Sequence, residues 1–456
     1  MRATFACLLS LLSLGLSRIA PARGQQAPLG DHTQAAHPLS LLTDASPGVS
    51  AIDALADFIA TSFSPAQREE VLLSLLGQHD VVDAMRMTGH GAGLDAPRVV
   101  DVFGEGVRKL TRSSASEGEK LRLRKAGLAF MDITDHAHLG TLNAQRPRPR
   151  TPTSPTLNAR AQAAVARMTA RLNTAHLRAD LGALSAFWTR AYFTYWGARS
   201  SDWIYAQVEQ ILAGADSAVE VGVKKFRHAF PQNSIIARIE RVGDTSEKEL
   251  VIVSAHQDSL NYLLPFYRAP GADDDGSGSV TVLQILRSLV EEGFVPPAGV
   301  AVEAHWFAGE EGGLLGSQAV AGAYEEAGVR VRGMLHMDMT AFVKTGTNPI
   351  IGFFDAQVDA NLTRFATALV DAYLPLPWAP TGCGDACGSD HMSFHKAGFP
   401  VAFATEGLFE DGPKNIHTAG DDMDNDGQFS FAHMLEFVKL GIAFVAELSV
   451  APAPAP

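Results

Sequence analysis

The chain has 456 residues, 46% hydrophobic and 19% charged, a globular composition with material for a sizeable core rather than disorder throughout. Its formal net charge of -13 at pH 7 repels phosphate backbones and anionic lipid, so neither nucleic acid nor a membrane is an expected partner. The length exceeds the usual domain of about 100 to 200 residues and predicts one large domain plus an additional segment.

Residues 1–22 have the layout of a secretory signal peptide: Arg2, an apolar run from Phe5 to Leu16, then Ala20 and Ala22 ahead of a cleavage point. The run is shorter than the roughly 20 apolar residues that span a bilayer, and no later stretch reaches about 18, so a secreted, extracellular, soluble mature chain is expected. Of three cysteines, Cys7 leaves with the signal. Cys383 and Cys387 remain as an even pair in an oxidising compartment, and a disulfide between them is expected.

Residues 23–155 differ in pattern from the rest of the chain. The stretches "ALADFIATSF", "REEVLLSLL", "PRVVDVFGEGVRKL" and "LRLRKAGLAFMDI" carry apolar residues at helical spacing and predict a helical segment. It closes with "NAQRPRPRTPTSPTLNAR" (143–160), a Pro- and Arg-rich tract that cannot hold a helix and reads as an exposed, easily cut linker. The segment is either a propeptide acting in cis, which assists folding or covers an active site, or a permanent small helical domain; the linker favours the propeptide.

Residues 156–450 alternate strand and helix patterns. Helical stretches from Ala161 to Leu184 and at "SSDWIYAQVEQILAG" precede two strand-like runs, "AVEVGVKKFRHAF" and "NSIIARIERV". Then come "ELVIVSAH" (strand), "SVTVLQILRSLVEEG" (helix), "GVAVEAHWFAG" (strand), "GLLGSQAVAGAYEEAG" (helix), "RGMLHMDMT" and "NPIIGFFD" (strands), "QVDANLTRFATALVDAYL" (helix), "FPVAFAT" (strand) and a last helix through "MLEFVKLGIAFVAELS". This predicts an α/β fold with a largely parallel sheet covered on both faces, whose ligands sit beyond the carboxyl ends of the strands. Residues 451–456 read as a disordered tail.

The unusual polar groups gather at that edge. His256 and Asp258 end one strand; "PGADDDGSG" (270–278), "WFAGEEGG" (306–313), "HMDMT" (336–340) and "NIHTAGDD" (415–422) come after other elements. Singly each is weak, since a lone His beside a strand is usually a satisfied core residue and an Asp cluster is usually a turn or cap. Together they concentrate carboxylates that would repel unless cations bind between them. Imidazole plus carboxylate with no cysteine nearby suits catalytic zinc, whereas magnesium and calcium prefer all-oxygen shells. Five candidate ligands exceed the need of one zinc, so a pair about 3.5 to 4 Å apart sharing a bridging carboxylate is the economical reading.

The ordered set "AHQDS", "GADDDGSG", "FAGEEGGLLGS", "HMDMT", "CGDACGSDH" and "NIHTAGDD" resembles the co-catalytic dizinc aminopeptidases typified by secreted bacterial and fungal leucyl aminopeptidases, over roughly residues 160 to 450. The resemblance implies a three-layer zinc-dependent exopeptidase fold with a mixed, mainly parallel eight-stranded sheet, two zinc ions, and peptide substrates losing their N-terminal residue. It implies His256 and Asp338 on the first zinc, Glu311 and His417 on the second, Asp274 bridging both, and a cis bond from Asp274 to Asp275. Asp258 would orient the His256 ring. Glu310 would be the general base that completes a metal-bridged hydroxide and returns the proton to the leaving amine. The cysteines match the family's short disulfide loop.

Two departures bear on the substrate pocket: Gly388 is an added residue after Cys387, and Asp385 stands where bacterial relatives carry tyrosine. Met339, Phe403, Phe409 and Ile416 are candidate apolar walls for a leucine-like side chain, and an acidic Asp385 there would instead admit a basic one. Asn361 begins a glycosylation sequon. A monomer is expected. Three other readings carry less. A serine hydrolase built on Ser389, Asp390 and His391 is disfavoured because residues adjacent in sequence rarely form a triad. A non-catalytic receptor or binding module would not need Glu310 and every ligand. A one-zinc glutaminyl cyclase is distinguished by metal stoichiometry.

Overall fold

The computed structural model describes residues 93–103, 111–146, 151–262, 264–382 and 388–451. The signal stretch, the helical stretches expected at 54–63 and 68–76, Cys383, Asp385, Cys387 and tail residues 452–456 lie outside the described residues. The chain divides into two units, Met1–Pro97 with Ser116–Arg122, and Arg98–Ala115 with Leu123–Pro456. In the first, Ser116 and Glu119 form a capping box at the start of α1 (Glu117–Lys125): the Ser116 amide donates to Glu119 Oε2 at 2.5 Å and the Glu119 amide to Ser116 Oγ at 3.2 Å.

The helical expectation is corrected at 97–103 and 129–132, which are strands; within 121–133 the helix holds through Lys125, and 104–110 lie outside the described residues. Strands β1 (Pro97–Phe103), β2 (Thr111–Ser116) and β3 (Ala129–Asp132) form a sheet in the order β2-β1-β3, with Val100 to Phe103 paired antiparallel to Asp132 to Ala129. Val99, Val100 and Val102 are β-branched and lose little on a pleated strand, while a helix would restrict their χ1 rotamers. Phe103, Met131 and Ile133 then pack with Leu314 and Met392. The tract at 143–160 is exposed over most of its described residues, as expected of a linker, but the chain is anchored at its start and at Thr151. The Glu325 carboxylate accepts the backbone amides of Gly140, Leu142 and Asn143, each at 2.8 Å, and Thr151 is buried against Asp359.

Beyond the linker the chain agrees with the α/β reading: α2 (Ala159–Thr169), α3 (Thr174–Leu184), α4 (Tyr195–Leu212), β4 (Val219–Phe226), β5 (Ser234–Arg241), β6 (Glu249–His256), α5 (Gly278–Glu291), β7 (Val300–Phe307), α6 (Leu315–Glu326), β8 (Arg330–Met337), β9 (Ile351–Phe354), α7 (Ala360–Tyr373), β10 (Trp378–Thr381), α8 (His391–Lys396), β11 (Val401–Thr405) and α9 (Phe431–Val450). The eight-stranded sheet runs β10-β9-β11-β8-β6-β7-β5-β4, mixed, with the central β11, β8, β6 and β7 mutually parallel. Alternation along β6 builds the three layers. Val251, Val253 and Ala255 pack on one face with α2, α3, α4, α5, α7 and α9, while Leu250 and Ile252 face α6 and α8. α9 is buried along most of its length, as its nearly continuous apolar sequence requires.

Candidate metal centre

The carboxyl ends of β6, β7 and β8 lie side by side, and the loops that leave them carry the polar residues. His256 is the last residue of β6 and Asp338 comes just after β8; Asp274 stands just before α5, Glu310 and Glu311 between β7 and α6, and His417 in the loop before α9. The structure brings these groups together. Asp274 sits between the two histidines, with Oδ1 3.0 Å from His256 Nε2 and Oδ2 2.7 Å from His417 Nε2. Asp338 Oδ1 is 3.6 Å from His256 Nε2, and Glu311 Oε2 is 3.7 Å from His417 Nε2. The Asp274–Asp275 peptide bond is cis, as the resemblance implies.

Among the described residues two groups have donor atoms close enough to share an ion: Asp274, Glu311 and His417, and His256, Asp275 and Asp338. In the second group Asp275 is already occupied. Its Oδ2 accepts the His256 amide, and its Oδ1 accepts the amides of Gly278 and Met339. Asp274 is therefore the better third donor beside His256. A side chain at 278 would displace this arrangement, because a Cβ there falls 2.2 Å from Asp275 Oδ1.

Asp258 lies 3.5 Å from His256 Nδ1, but its shorter bonds go elsewhere: Oδ1 accepts the Glu310 amide at 3.0 Å and Oδ2 the Glu311 amide at 3.2 Å. It holds the turn that carries both glutamates as much as the histidine.

The electrostatics favour a bound cation. Burial pushes Glu311 up to about 7 despite the opposing charge of His417. Burial likewise lifts Glu310 well above the usual carboxylate range, and Glu311, Asp390 and Asp338 add to it. Burial alone would depress His417, yet the Glu311 and Asp274 carboxylates outweigh it and raise the imidazole to about 9. Glu311 Oε1 and Asp338 Oδ1 are buried without a hydrogen-bond partner. Orphaned carboxylate oxygens beside two imidazole nitrogens that face Asp274 fit a zinc-class ion.

A family model described as peptidase family M28 matches residues 234–440. Leucine aminopeptidase 1 of Fusarium vanettenii is 40% identical over 342 residues, 73% of this chain and 84% of that protein. Leucine aminopeptidase 1 of Grosmannia clavigera is 42% identical over 348 residues, 74% of this chain and 82% of that protein. The chain belongs to peptidase family M28. Within it, the chain is a zinc aminopeptidase, a hydrolase of peptide bonds. Its fold also matches the LapA aminopeptidase of Legionella pneumophila, with a TM-score of 0.65 at 22% identity, over 78% of this chain and 99% of that one.

In this M28 aminopeptidase a cavity of about 420 Å³ opens onto the cluster. The four expected apolar residues, Met339, Phe403, Phe409 and Ile416, line it, and so do Phe103, Arg124 and Phe130 from the β1–β3 segment. Leu314, Met339 and His417 are non-glycine residues with φ near +60° that also border it (60°, 60° and 57°). Such left-handed backbone concentrates at functional sites. Ser389 lies at the cavity, but its Oγ meets His336 Nε2 at 2.8 Å, and His336 Nδ1 meets Ser254 Oγ, so no carboxylate completes a serine triad there. Asn361 stands in the first turn of α7, half-buried, with its Oδ1 accepting from Arg364 at 2.6 Å.

Three residues that frame the site in this peptidase had no role in the sequence reading, although Asp421 lies within "NIHTAGDD". Asp421 accepts the amides of Asp273 and Asp274 with one oxygen each, both at 3.0 Å. Arg190 is fully buried and donates to the carbonyls of Gln257, Pro270 and Gly271, a fixed positive charge behind the acidic loop. Tyr262 donates its hydroxyl to Glu311 Oε2 at 2.8 Å. The doublet "DD" at 421–422 hinted at the first; a lone Arg and a lone Tyr offer no comparable signal.

Proposed function

We propose that this aminopeptidase works with two zinc ions, one held by His256 and Asp338 and the other by Glu311 and His417, with Asp274 shared. The observation that carries the proposal is the Asp274 carboxylate, which directs one oxygen to each histidine, at 3.0 and 2.7 Å. Zinc bound there supplies Lewis acidity toward water and toward the scissile carbonyl. Glu310 handles the proton. It accepts one from the water whose oxygen joins the carbonyl carbon, and delivers one to the departing amine nitrogen as the C–N bond breaks. A carboxyl whose proton affinity is raised by burial suits both halves of that transfer. Asp258 fixes the backbone from which Glu310 reaches the substrate.

Substrate choice follows from the cavity. Its apolar wall of Met339, Phe403, Phe409 and Ile416 favours a hydrophobic, leucine-like N-terminal residue. The zymogen reading rests on the segment before residue 155: Phe103, Arg124 and Phe130 occupy the cavity rim, and the Asp132 amide donates to the Gly313 carbonyl at 3.0 Å beside the glutamate loop. Removal of that segment would open the cavity. Secretion rests on the signal layout of residues 1–22; among the described residues no helix is long and apolar enough to cross a membrane.

The test is an assay of the purified chain against a panel of aminoacyl-anilides, before and after cleavage within 143–160, with zinc content measured alongside. Two zinc ions per chain, fastest release of leucine-like residues and a higher rate after cleavage are expected. One zinc per chain with cyclisation of N-terminal glutamine would replace this reading with a cyclase, and binding without turnover would replace it with a receptor-like module.

A further inference from the structure

Tyr262 lies in the loop that leaves β6, four residues past Asp258, and touches the site three times. Its hydroxyl donates to Glu311 Oε2 at 2.8 Å. Its ring stacks on the His417 imidazole, with centroids 3.8 Å apart and planes within 12°. Its backbone amide donates to the His417 carbonyl at 3.0 Å. These contacts run to the Glu311–His417 pair, one half of the donor set.

The geometry points to Tyr262 as a positioning residue for the cation held by Glu311 and His417, a role that rests on the two-zinc reading. A carboxylate free to turn about its last torsion loses rotational freedom when it binds an ion; a hydroxyl already holding Oε2, the oxygen 3.7 Å from His417 Nε2, removes part of that cost, while Oε1 is buried without a protein partner. The imidazole is fixed in two ways. The stacked ring blocks its rotation on one face, and the amide bond pins the His417 backbone at φ 57°. Groups that orient metal ligands in this way are worth about 10- to 100-fold in metal affinity. Tyr262 also borders the cavity, so a plain wall for substrate is the competing account. The two accounts separate, because a wall needs the ring and not the hydroxyl.

The test uses the full chain as wild type, Tyr262→Phe and Tyr262→Leu, each loaded with zinc and titrated with a competing chelator while released zinc is read by an indicator dye. Wild type is expected to release zinc in two steps, one of which disappears in Glu311→Ala. That step should weaken about 10-fold in Tyr262→Phe, which keeps the stack and loses the hydroxyl, and further in Tyr262→Leu, while the other step stays in place. An unmoved Glu311-dependent step in both variants overturns the role, as does equal weakening of both steps, which would mark general loosening. Wild type that holds fewer than two zinc ions overturns the two-zinc reading itself and this role with it.

Discussion

Two buried clusters of charge, both on the middle strands, solve opposite problems. At mid-sheet Glu303 on β7 is surrounded: Oε1 accepts from Arg238 at 3.0 Å, and Oε2 meets His305 Nε2 at 2.8 Å and Tyr324 Oη at 2.6 Å. Burial would lift its pKa, but His305, Tyr324 and Arg238 pull it down to about 2. At the strand ends the Asp274 cluster has carboxylates in excess, unpartnered donors and upward-shifted glutamates. Both oxygens of the Glu303 carboxylate are satisfied by protein, although His305 Nδ1 beside it has no partner among the described residues, whereas the Asp274 cluster leaves carboxylate oxygens for a cation. A buried ion cluster is thus legible as structural or functional by whether its own side chains satisfy it.

Metal removal should break the comparison most strongly. Chelation is expected to reduce anilide hydrolysis to background, with zinc restoring it, while the Glu303 cluster is untouched. The metal-free chain should also show a particular pH dependence. Glu311 is raised from 4.5 to about 7 and His417 from 6.5 to about 9, so each contributes stability fully present below its ordinary value and lost as pH rises through its folded value. Thermal melts of chelated protein should therefore fall by several degrees from pH 5 to pH 8, and zinc should flatten that slope.

Glu310→Ala comes next. On the two-zinc proposal it is expected to lower kcat by roughly 10³-fold or more while both zinc ions stay bound, since Glu310 would then supply proton transfer and no ligand. Loss of metal in that variant would reverse the assignments of Glu310 and Glu311. The smallest effect belongs to the other cluster. Glu303→Gln should cost about 2 kcal/mol in denaturant unfolding, because His305 and Tyr324 lose a buried charged acceptor while Arg238 keeps Glu240. Its kcat and zinc content should match wild type.

Much of this contrast is legible in the sequence. His256, Asp274, Glu311, Asp338 and His417 stand out because metal chemistry demands particular side chains, and because each comes after a strand or before a helix with strong periodicity. The eight-stranded sheet with helices on both faces accords with the same alternation. The misreadings are local. The valines of 97–103 fit a helical spacing by count, yet their pairing partner lies about thirty residues on, at 129–132, and only that pairing decides for strand. β10 and α8 are short, and short elements carry little periodicity. The tract at 143–160 reads as an exposed linker and is largely exposed where described, but nothing in its composition shows that Glu325 holds the amides of Gly140, Leu142 and Asn143 at its approach. Asp421, Arg190 and Tyr262 act on residues up to 148 positions away, through contacts that no spacing rule encodes.

The grip of Asp258 on consecutive amides means that the proposed proton carrier, Glu310, and the proposed metal donor, Glu311, share one mounting. A backbone shift that moves either glutamate drags its neighbour along, so variation that displaces this loop would alter reaction rate and ion retention together. Separate tuning of the two properties would have to come through the side chains themselves or the partners that each carboxylate faces.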